Sequence, residues 1–415
     1  MRDGFKSALN RLQVSRRDFM RVAGRFGMTS TLFGAASVAT GVITLPKLAS
    51  AAESNYEKRF KKEPKHTLKF GPDGLSAERL LIQRSGELFW SQDIEERTDG
   101  EIRIEFIGSG QICNQLDCIK KCQQGIIDIY SSSTQNAAGS APYLNVLDYA
   151  YVFPTRASQY YFFYHPRSEQ LLREPMRRIH GIVCLHTHAE LRNMMMGLKY
   201  NESKDLTKIE DLFGTKNRVT GTQLGRIAMQ LMNLNPVPIA WEETLDGLKQ
   251  GLVDGAETWS SASAFANMGP VIAQDVGLEF FSGNHLSGMR IQTYESLSPE
   301  LQDAVMESAY TSQVMVQHAN EASLVNVVGA SSPQHPNTHY SQHNVRYVPY
   351  SAEEKKKCQE LCSPEFVPEP WEKWRDRINN WAKGLDTYTE VFNIAREIPE
   401  TMLAEHVEPR RWWKS

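Results

Sequence analysis

The sequence predicts an α/β protein of two units, because strands and helices alternate in two separate regions. The first region runs from Thr67 to Tyr130 and the second from Asp211 to Trp259. In each region, short β-branched or alternating runs are separated by stretches with apolar residues at helical spacing. This alternation implies parallel sheets with right-handed crossover connections. The chain of 415 residues is long enough for two domains of ordinary size.

The first region contains three strand candidates and two helix candidates. The run Gly100–Phe106 alternates apolar and polar residues, which is typical of a strand, and a glycine-rich turn follows it. The predicted elements are strands over 66–72, 100–106 and 125–130, and helices over 76–99 and 111–124. A further strand over 181–186 is expected to lead into the second unit, and a long helix is expected over 298–320.

The second region carries clear start and stop signals. Thr220 or Thr222 is suited to cap the helix that follows, which must end before Asn235-Pro236. A residue that precedes proline avoids the helical region of backbone space. The other predicted elements are strands over 217–220, 237–240 and 253–256, and a helix over 242–251.

Two segments of the second region resemble a known family. They read GTKNRV over 214–219 and NPVPIAWEETLDGLKQGLVDGAET over 235–258. These segments contain, in order, a glycine turn, a K-x-R-V strand, an N-P-x-P break and a helix ending in G-x-V-D-G-x-E. This order resembles the core signature of the periplasmic solute-binding proteins of TRAP (tripartite ATP-independent periplasmic) transporters. A looser resemblance runs from about Thr67 to about Asn320, and the residues after it match poorly.

The resemblance implies a two-lobed periplasmic-binding-protein-like fold. Each lobe is expected to be a mainly parallel sheet flanked by helices, with the ligand cleft between the lobes. Lobe I is expected over 66–189 plus about 284–325, and lobe II over 190–283 plus about 326–410.

Two arginines are candidates for holding an anionic ligand. A guanidinium offers paired donors that match the two oxygens of a carboxylate and stays charged at any relevant pH. The resemblance implies that Arg218 clamps the ligand's carboxylate and that Arg192, after a preceding strand, faces the cleft. The structural alternative for Arg218 is a salt bridge with Glu242 or Glu243.

Four further residues complete the candidate site. Thr258 is suited to one hydrogen bond with the ligand, and Trp259 to covering an apolar part of it. Ser133 and Thr134 are expected at the carboxyl end of a strand of the other lobe, where ligands bind in open α/β sheets. An ordinary polar loop is the alternative there. Some relatives hold a cation beside the ligand through the residue matching Glu257, but no metal or cofactor is predicted here.

The N-terminus has the features of an export signal. Arg16-Arg17 precedes a weakly apolar run over 27–45, and Ala49-Ser50-Ala51 has the form of a cleavage site. Residues 1–51 are therefore expected to be a twin-arginine signal peptide, and the mature chain to lie in the periplasm. Because this segment carries eight Lys/Arg against two Asp/Glu, the net charge of −3 becomes −9 without it. Such an acidic chain is unsuited to nucleic acid, and no later run of about 18 apolar residues predicts membrane insertion.

Six cysteines lie in the expected mature chain. An oxidising compartment allows them to form disulfides, but spacing alone leaves the pairing open. They are Cys113, Cys118, Cys122, Cys184, Cys358 and Cys362. A metal site is disfavoured, because no histidine lies at ligand spacing nearby.

The predicted function is that of a binding protein. The resemblance implies capture of a small organic anion, a carboxylate or a sulfonate, and its delivery to the membrane subunits of a TRAP transporter. The alternatives are an exported enzyme, which twin-arginine export brings into consideration, and a ligand-sensing partner of a membrane receptor. No G-x-S-x-G or H-E-x-x-H motif is present in the sequence. Together with the resemblance to binding proteins, this absence means that an enzyme is not predicted.

Overall fold

The computed structural model describes residues 60–73 and 86–414. The signal peptide expected over 1–51 lies outside these residues, as does the 76–85 part of the helix expected over 76–99. Within the described ranges, no helix combines the length and the apolar composition needed to cross a membrane.

The described strands form two sheets. They are β1 His66–Pro72, β2 Ile102–Phe106, β3 Ile129–Ser133, β4 Ile182–Leu191, β5 Asn193–Gly197, β6 Lys216–Val219, β7 Asn235–Pro238, β8 Gly255–Thr258, β9 Ile272–Gly277, β10 Ser282–Arg290 and β11 Arg346–Pro349. The first sheet has the order β2-β1-β3-β10-β4, and the second has the order β11-β9-β5-β8-β6-β7.

Helices flank both sheets. They are α1 Gly86–Arg97, α2 Cys118–Gln123, α3 Thr134–Ala137, α4 Arg156–Tyr164, α5 Glu174–His180, α6 Gln223–Leu231, α7 Trp241–Lys249, α8 Ser260–Phe265, α9 Ile291–Glu295, α10 Pro299–Ser323, α11 His339–His343, α12 Ala352–Cys362, α13 Glu372–Trp381 and α14 Thr387–Ile394. The long helix α10 packs against α1 and β4 of the first sheet, whereas α6 and α7 pack against strands of the second.

Each sheet mixes parallel and antiparallel strands. The predicted parallel pairing holds where helices connect the strands, among β1, β2 and β3 and among β6, β7 and β8. By contrast, β10 runs antiparallel to β3 and β4, and β5 runs antiparallel to β8 and β9. The reason is that β4 continues into β5, and β9 into β10, so that the chain passes from one sheet to the other without a helical crossover.

The points where the chain changes sheet are short. Arg192 is the single residue between β4 and β5, and four residues separate β9 from β10. The main chains of these two segments pair, since Arg192 N donates to Phe281 O at 2.9 Å and Phe280 N donates to Arg192 O at 3.2 Å. The lobe boundaries expected at 189/190 and 283/284 lie beside these crossings, and the full division into lobes stays a prediction.

Two local predictions in the first region were wrong. The helix expected over 111–124 is confined to α2, because residues 114–117 form a turn closed by Asp117 N to Asn114 O at 3.2 Å. The strand expected over 125–130 begins at Ile129 and extends to Ser133, because Gly125 adopts a positive φ of 77° in a preceding turn. The serine run therefore forms the last residues of β3, and Ser133 and Thr134 lie at its carboxyl end as expected.

One pair of cysteines forms a disulfide. Cys113 and Cys118 are bonded, closing the turn before α2. The remaining cysteines are buried free thiols: Cys122, Cys184, Cys358 and Cys362.

The C-terminal region joins the core. Trp371 is fully buried, and its ring lies 6.1 Å from the ring of Tyr149. It belongs to the largest apolar cluster, together with Val219 of β6 and Leu286 of β10. The tryptophans of this region thus serve packing, as aromatic residues at helical spacing usually do.

Candidate functional site

The candidate site lies where strands of the second sheet end beside the crossing between sheets. Arg218 is in β6, and Glu257 is in β8, which pairs with β6 in parallel register. Arg192 lies at the crossing itself, directly before β5, whose Met194 is opposite Glu257. Because the strands are adjacent, residues distant in sequence are brought together at this edge.

Glu257 is the centre of the cluster. Its carboxylate accepts from Arg192 Nε through Oε2 and from Thr220 N at 2.7 Å through Oε1. Arg218 Nη1 lies 3.7 Å from Oε1. The side chains of Glu257 and both arginines are at most 1% exposed. The carboxylate of Glu257 is therefore surrounded by hydrogen-bond donors. A carboxylate that ligates a cation would need its oxygens free of such donors.

The main chain of Glu257 also holds both guanidinium groups. Its carbonyl oxygen accepts from Arg192 Nη2 at 3.3 Å and from Arg218 Nη1 at 3.3 Å. Arg218 Nε donates to Ile239 O at 3.1 Å, which fixes the plane of this guanidinium. The remaining nitrogen, Nη2, is buried without a hydrogen-bonding partner among the described residues.

The electrostatics of the cluster favour an anion. Burial lowers the pKa of Arg218 to about 10, and the nearby Glu257 opposes this shift. Arg218 consequently remains a cation at neutral pH, and Arg192 is a second guanidinium beside the same carboxylate. Two buried cations lie beside one carboxylate, so the cluster has a net positive charge. This charge favours the binding of a further negative group.

Aromatic rings line the arginines. The Arg192 guanidinium carbon lies 4.9 Å from the ring of Trp259 and 5.6 Å from that of Phe281. The corresponding carbon of Arg218 lies 5.3 Å from the ring of Trp241. These distances allow cation–π attraction, which is stronger away from water.

Gln135 of α3, the helix that directly follows β3 of the first sheet, forms the opposite wall. Its Oε1 accepts from Arg192 Nη1 at 3.2 Å, and its Nε2 donates to Asp148 Oδ1 at 2.6 Å. Ser133 Oγ donates to Gln135 Oε1 at 3.0 Å, and Thr134 Oγ1 donates to Asn284 O at 3.4 Å. Ser133 therefore reaches Arg192 through Gln135 rather than directly.

The structure brings three of the predicted site residues into one cluster. Arg192, Arg218 and Trp259 meet around Glu257, which is also the carboxylate nearest Arg218, in place of Glu242 or Glu243. Thr258 is buried one position further along β8, where strand alternation places its side chain on the face opposite that of Glu257. The binding roles of all these residues, and of Ser133 and Thr134, remain predictions.

Sequence reasoning missed Gln135 and Asp148. Gln135 follows Thr134 directly, so the rule that ligands bind at strand carboxyl ends was a usable signal. Asp148 lies in an aromatic-rich segment that predicts core packing, and nothing local distinguishes it. Burial raises the pKa of Asp148 to about 7, which marks it as an unusual carboxyl group.

Two other features lie apart from this cluster. A cavity of about 720 Å³ is lined by Leu191, Arg156 and Glu279 but by neither Arg192 nor Arg218. Its cations are paired, since Arg156 Nε donates to Glu321 at 2.6 Å. Among the described residues, the one group with metal-ligand proximity is Cys113, Asp117 and Cys118, whose two sulfurs form the disulfide.

Comparison with known proteins gives a family match. The family described as bacterial extracellular solute-binding protein, family 7, matches residues 77–364. The 2,3-diketo-L-gulonate-binding periplasmic protein YiaO of Escherichia coli (strain K12) is 25% identical over 239 residues, covering 52% of this chain and 64% of that protein.

Solved structures share the fold. A TRAP periplasmic solute-binding protein from Sulfitobacter sp. NAS-14.1 with bound β-D-galacturonate has a TM-score of 0.64 at 21% identity, covering 80% of this chain and 100% of that one. The sugar acid binding protein DctPAm from Advenella mimigardefordensis, in complex with galactonate, has a TM-score of 0.65 at 19% identity, covering 81% and 99%. These likenesses confirm the predicted two-lobed α/β fold.

Proposed function

Because the chain belongs to the bacterial extracellular solute-binding proteins of family 7, the TRAP family that its sequence resembles, we propose that it captures a small organic anion between its two sheets. The ligand is a carboxylate or a sulfonate. The captured anion is delivered to the membrane subunits of a TRAP transporter. The protein acts by binding and release, without a cofactor and without catalysis.

The observation that carries this proposal is the buried guanidinium of Arg218. Two of its nitrogens are fixed by main-chain oxygens of Ile239 and Glu257, while Nη2 lacks a partner among the described residues. A guanidinium fixed in this way offers a directed donor to an oxyanion. An oxygen of the ligand that accepts from Nη2 removes the cost of leaving that donor unpaired.

The other site residues have distinct roles in this proposal. Arg192 supplies the second cation, and Trp259 covers the body of the ligand. Ser133 positions the opposite wall through Gln135, as its hydrogen bond of 3.0 Å indicates. Thr258 and Thr134 are assigned to the same site by position alone.

The names of similar proteins support the ligand class. The two solved structures contain galacturonate and galactonate, and the relative YiaO is described as binding 2,3-diketo-L-gulonate. Each of these compounds carries a single carboxylate. The twin-arginine pattern at Arg16-Arg17 supports export to the periplasm, where such a protein meets its ligand.

A ligand screen by thermal shift tests the proposal. The purified mature chain is melted with a panel of carboxylates and sulfonates, with neutral sugars and amines as controls. At 100 times the dissociation constant, a ligand adds about 2.7 kcal/mol to the free energy of unfolding. Hits are then measured by titration calorimetry. Binding of neutral compounds in preference to every anion contradicts the proposal.

A further inference from the structure

The site contains many polar atoms besides those of the arginines. They come from strands and adjoining segments of both sheets and are buried without hydrogen-bonding partners among the described residues. These atoms are Asn136 Oδ1, Asp148 Oδ2, Thr220 Oγ1, Trp259 Nε1, and both Oδ1 and Nδ2 of Asn284. Their residues are at most 3% exposed.

Contacts link three of these residues to the arginine cluster. Asp148 reaches Arg192 through Gln135, at 2.6 Å and 3.2 Å. Thr220 donates its main-chain N–H to Glu257 at 2.7 Å. Trp259 lies 4.9 Å from the Arg192 guanidinium carbon. Three of the residues with unpartnered atoms therefore lie beside the groups that attract the anion.

The segments that follow β6 and β3 approach each other closely at this point. A side-chain carbon placed on Gly221 would lie 3.6 Å from Gln135 O and 3.8 Å from Asn136 O. Thr222 Oγ1 also donates to Asn145 Oδ1 at 3.0 Å, across the same junction. The unpartnered atoms of Asn136 and Thr220 thus lie beside a direct contact between the two halves of the molecule.

Donors and acceptors are both represented among the free atoms. Trp259 Nε1 and Asn284 Nδ2 donate, Asn136 Oδ1 accepts, and the Thr220 hydroxyl does either. A ligand hydroxyl can donate one hydrogen bond and accept others, so it suits such a mixed lining. An alkyl chain in the same place leaves all these buried groups unsatisfied, which is strongly unfavourable.

We propose that the ligand is a polyhydroxylated monocarboxylate of the aldonic or uronic acid class, whose carboxylate meets Arg218 and whose hydroxyls meet Asp148, Asn284 and Thr220. This inference rests on the proposed function. A second carboxylate on the ligand is disfavoured, because Asp148 on the opposite wall is itself an acid. A neutral sugar is disfavoured, because it leaves the arginine donors without an anion.

Matched six-carbon probes test this inference in the wild-type protein. Calorimetry compares aldonates and uronates (D-gluconate, D-galactonate, D-glucuronate and D-galacturonate) with hexanoate, adipate and D-galactose. We expect at least one sugar acid to bind about 100-fold or more tightly than hexanoate or adipate, since a site built for hydroxyls rejects analogues without them. D-galactose should show no binding.

The Asp148→Asn variant tests whether the wall opposite the arginines recognises the hydroxyls of the ligand. Asp148→Asn keeps the shape of the side chain but replaces its free carboxylate oxygen. The affinity for the preferred sugar acid should fall about 10-fold or more, with little change for hexanoate. Asp205→Asn, at an exposed carboxylate paired with Arg346, is the control and should leave both affinities unchanged. Equal losses for the sugar acid and hexanoate, or no loss for either, overturn the assignment of Asp148.

The outcomes separate this inference from the proposed function. If hexanoate or adipate binds as tightly as the best sugar acid, the sugar-acid inference is overturned while organic-anion binding stands. If no sugar acid binds and another acid does, the same conclusion follows. If no acid binds at all, both the inference and the proposed function fail.

Discussion

Replacing Arg218 separates a ligand-holding role from a structural one. Arg218→Lys keeps the positive charge but loses the planar fork, so that two directed donors become one point contact. Arg218→Ala removes both the charge and the donors. The structure places this side chain at 0% exposure, so each change acts in a site closed to water.

The expected loss of affinity is large. Truncating one partner of a buried charge pair costs roughly 2–5 kcal/mol. This corresponds to about 30-fold to several-thousand-fold weaker binding. Arg218→Lys should fall at the lower end of that range, because it keeps a charge near the ligand's carboxylate.

The ligand-free protein should be affected less. In Arg218→Ala, Glu257 keeps Arg192 and the Thr220 N–H as donors, whereas Ile239 O loses its 3.1 Å partner. One unsatisfied buried carbonyl costs about 1–3 kcal/mol. Removal of a buried cation offsets part of this cost.

The assay combines calorimetry with melting curves of the ligand-free proteins. Arg346→Lys is the control, because Arg346 lies outside the cluster. It pairs at 2.9 Å with Asp205, whose side chain is more than half exposed. If Arg218→Ala binds the ligand as the wild type does, the anion is held elsewhere. If the ligand-free variant loses as much unfolding free energy as binding free energy, Arg218 is structural.

Three further predictions concern other parts of the chain. Replacing Arg16 and Arg17 with lysine should leave the precursor in the cytoplasm, and normal processing on fractionation would refute this. Replacing Cys113 and Cys118 with serine should lower the free energy of unfolding by about 2 kcal/mol, the value for so short a loop, as measured by denaturant titration. Burial raises the pKa of Asp148 from 3.8 to about 7 in the folded protein. This group therefore lowers the free energy of unfolding as the pH rises from about 4 to about 7. Melting across that range should show a smaller fall in Asp148→Asn, and an unchanged profile would contradict the buried acid.

Elements with local signals were predictable from the sequence. The first strand occupies 66–72 as expected, and Thr222 caps α6 by accepting from Gly225 N. Helix α6 ends at Leu231, before Asn235-Pro236 as predicted. Strand β7 begins at Asn235 itself, two residues earlier than expected. Capping and proline effects act over a few residues, so the sequence alone was enough to locate them.

Strand direction and sheet order were not predictable in the same way. The antiparallel placement of β10 depends on its contacts with β3 and β4, which lie about 100 residues or more earlier in the chain. The spacing of helices along the sequence does not predict the direction of strands where the chain passes directly from one sheet to the other. The expectation of mainly parallel sheets therefore held for the strands joined by helices and for the pair β9 and β11, but not for β5 and β10.

The two walls of the candidate site differ in how the sequence encodes them. Arg218, Glu257 and Trp259 lie within or next to the two signature segments, and they meet because β6 and β8 are neighbours. The opposing group Asp148 lies outside the strands of either sheet, and it reaches Arg192 through Gln135 only in the folded chain. A motif can therefore identify the wall that carries the arginines, but the opposing wall is visible only in three dimensions.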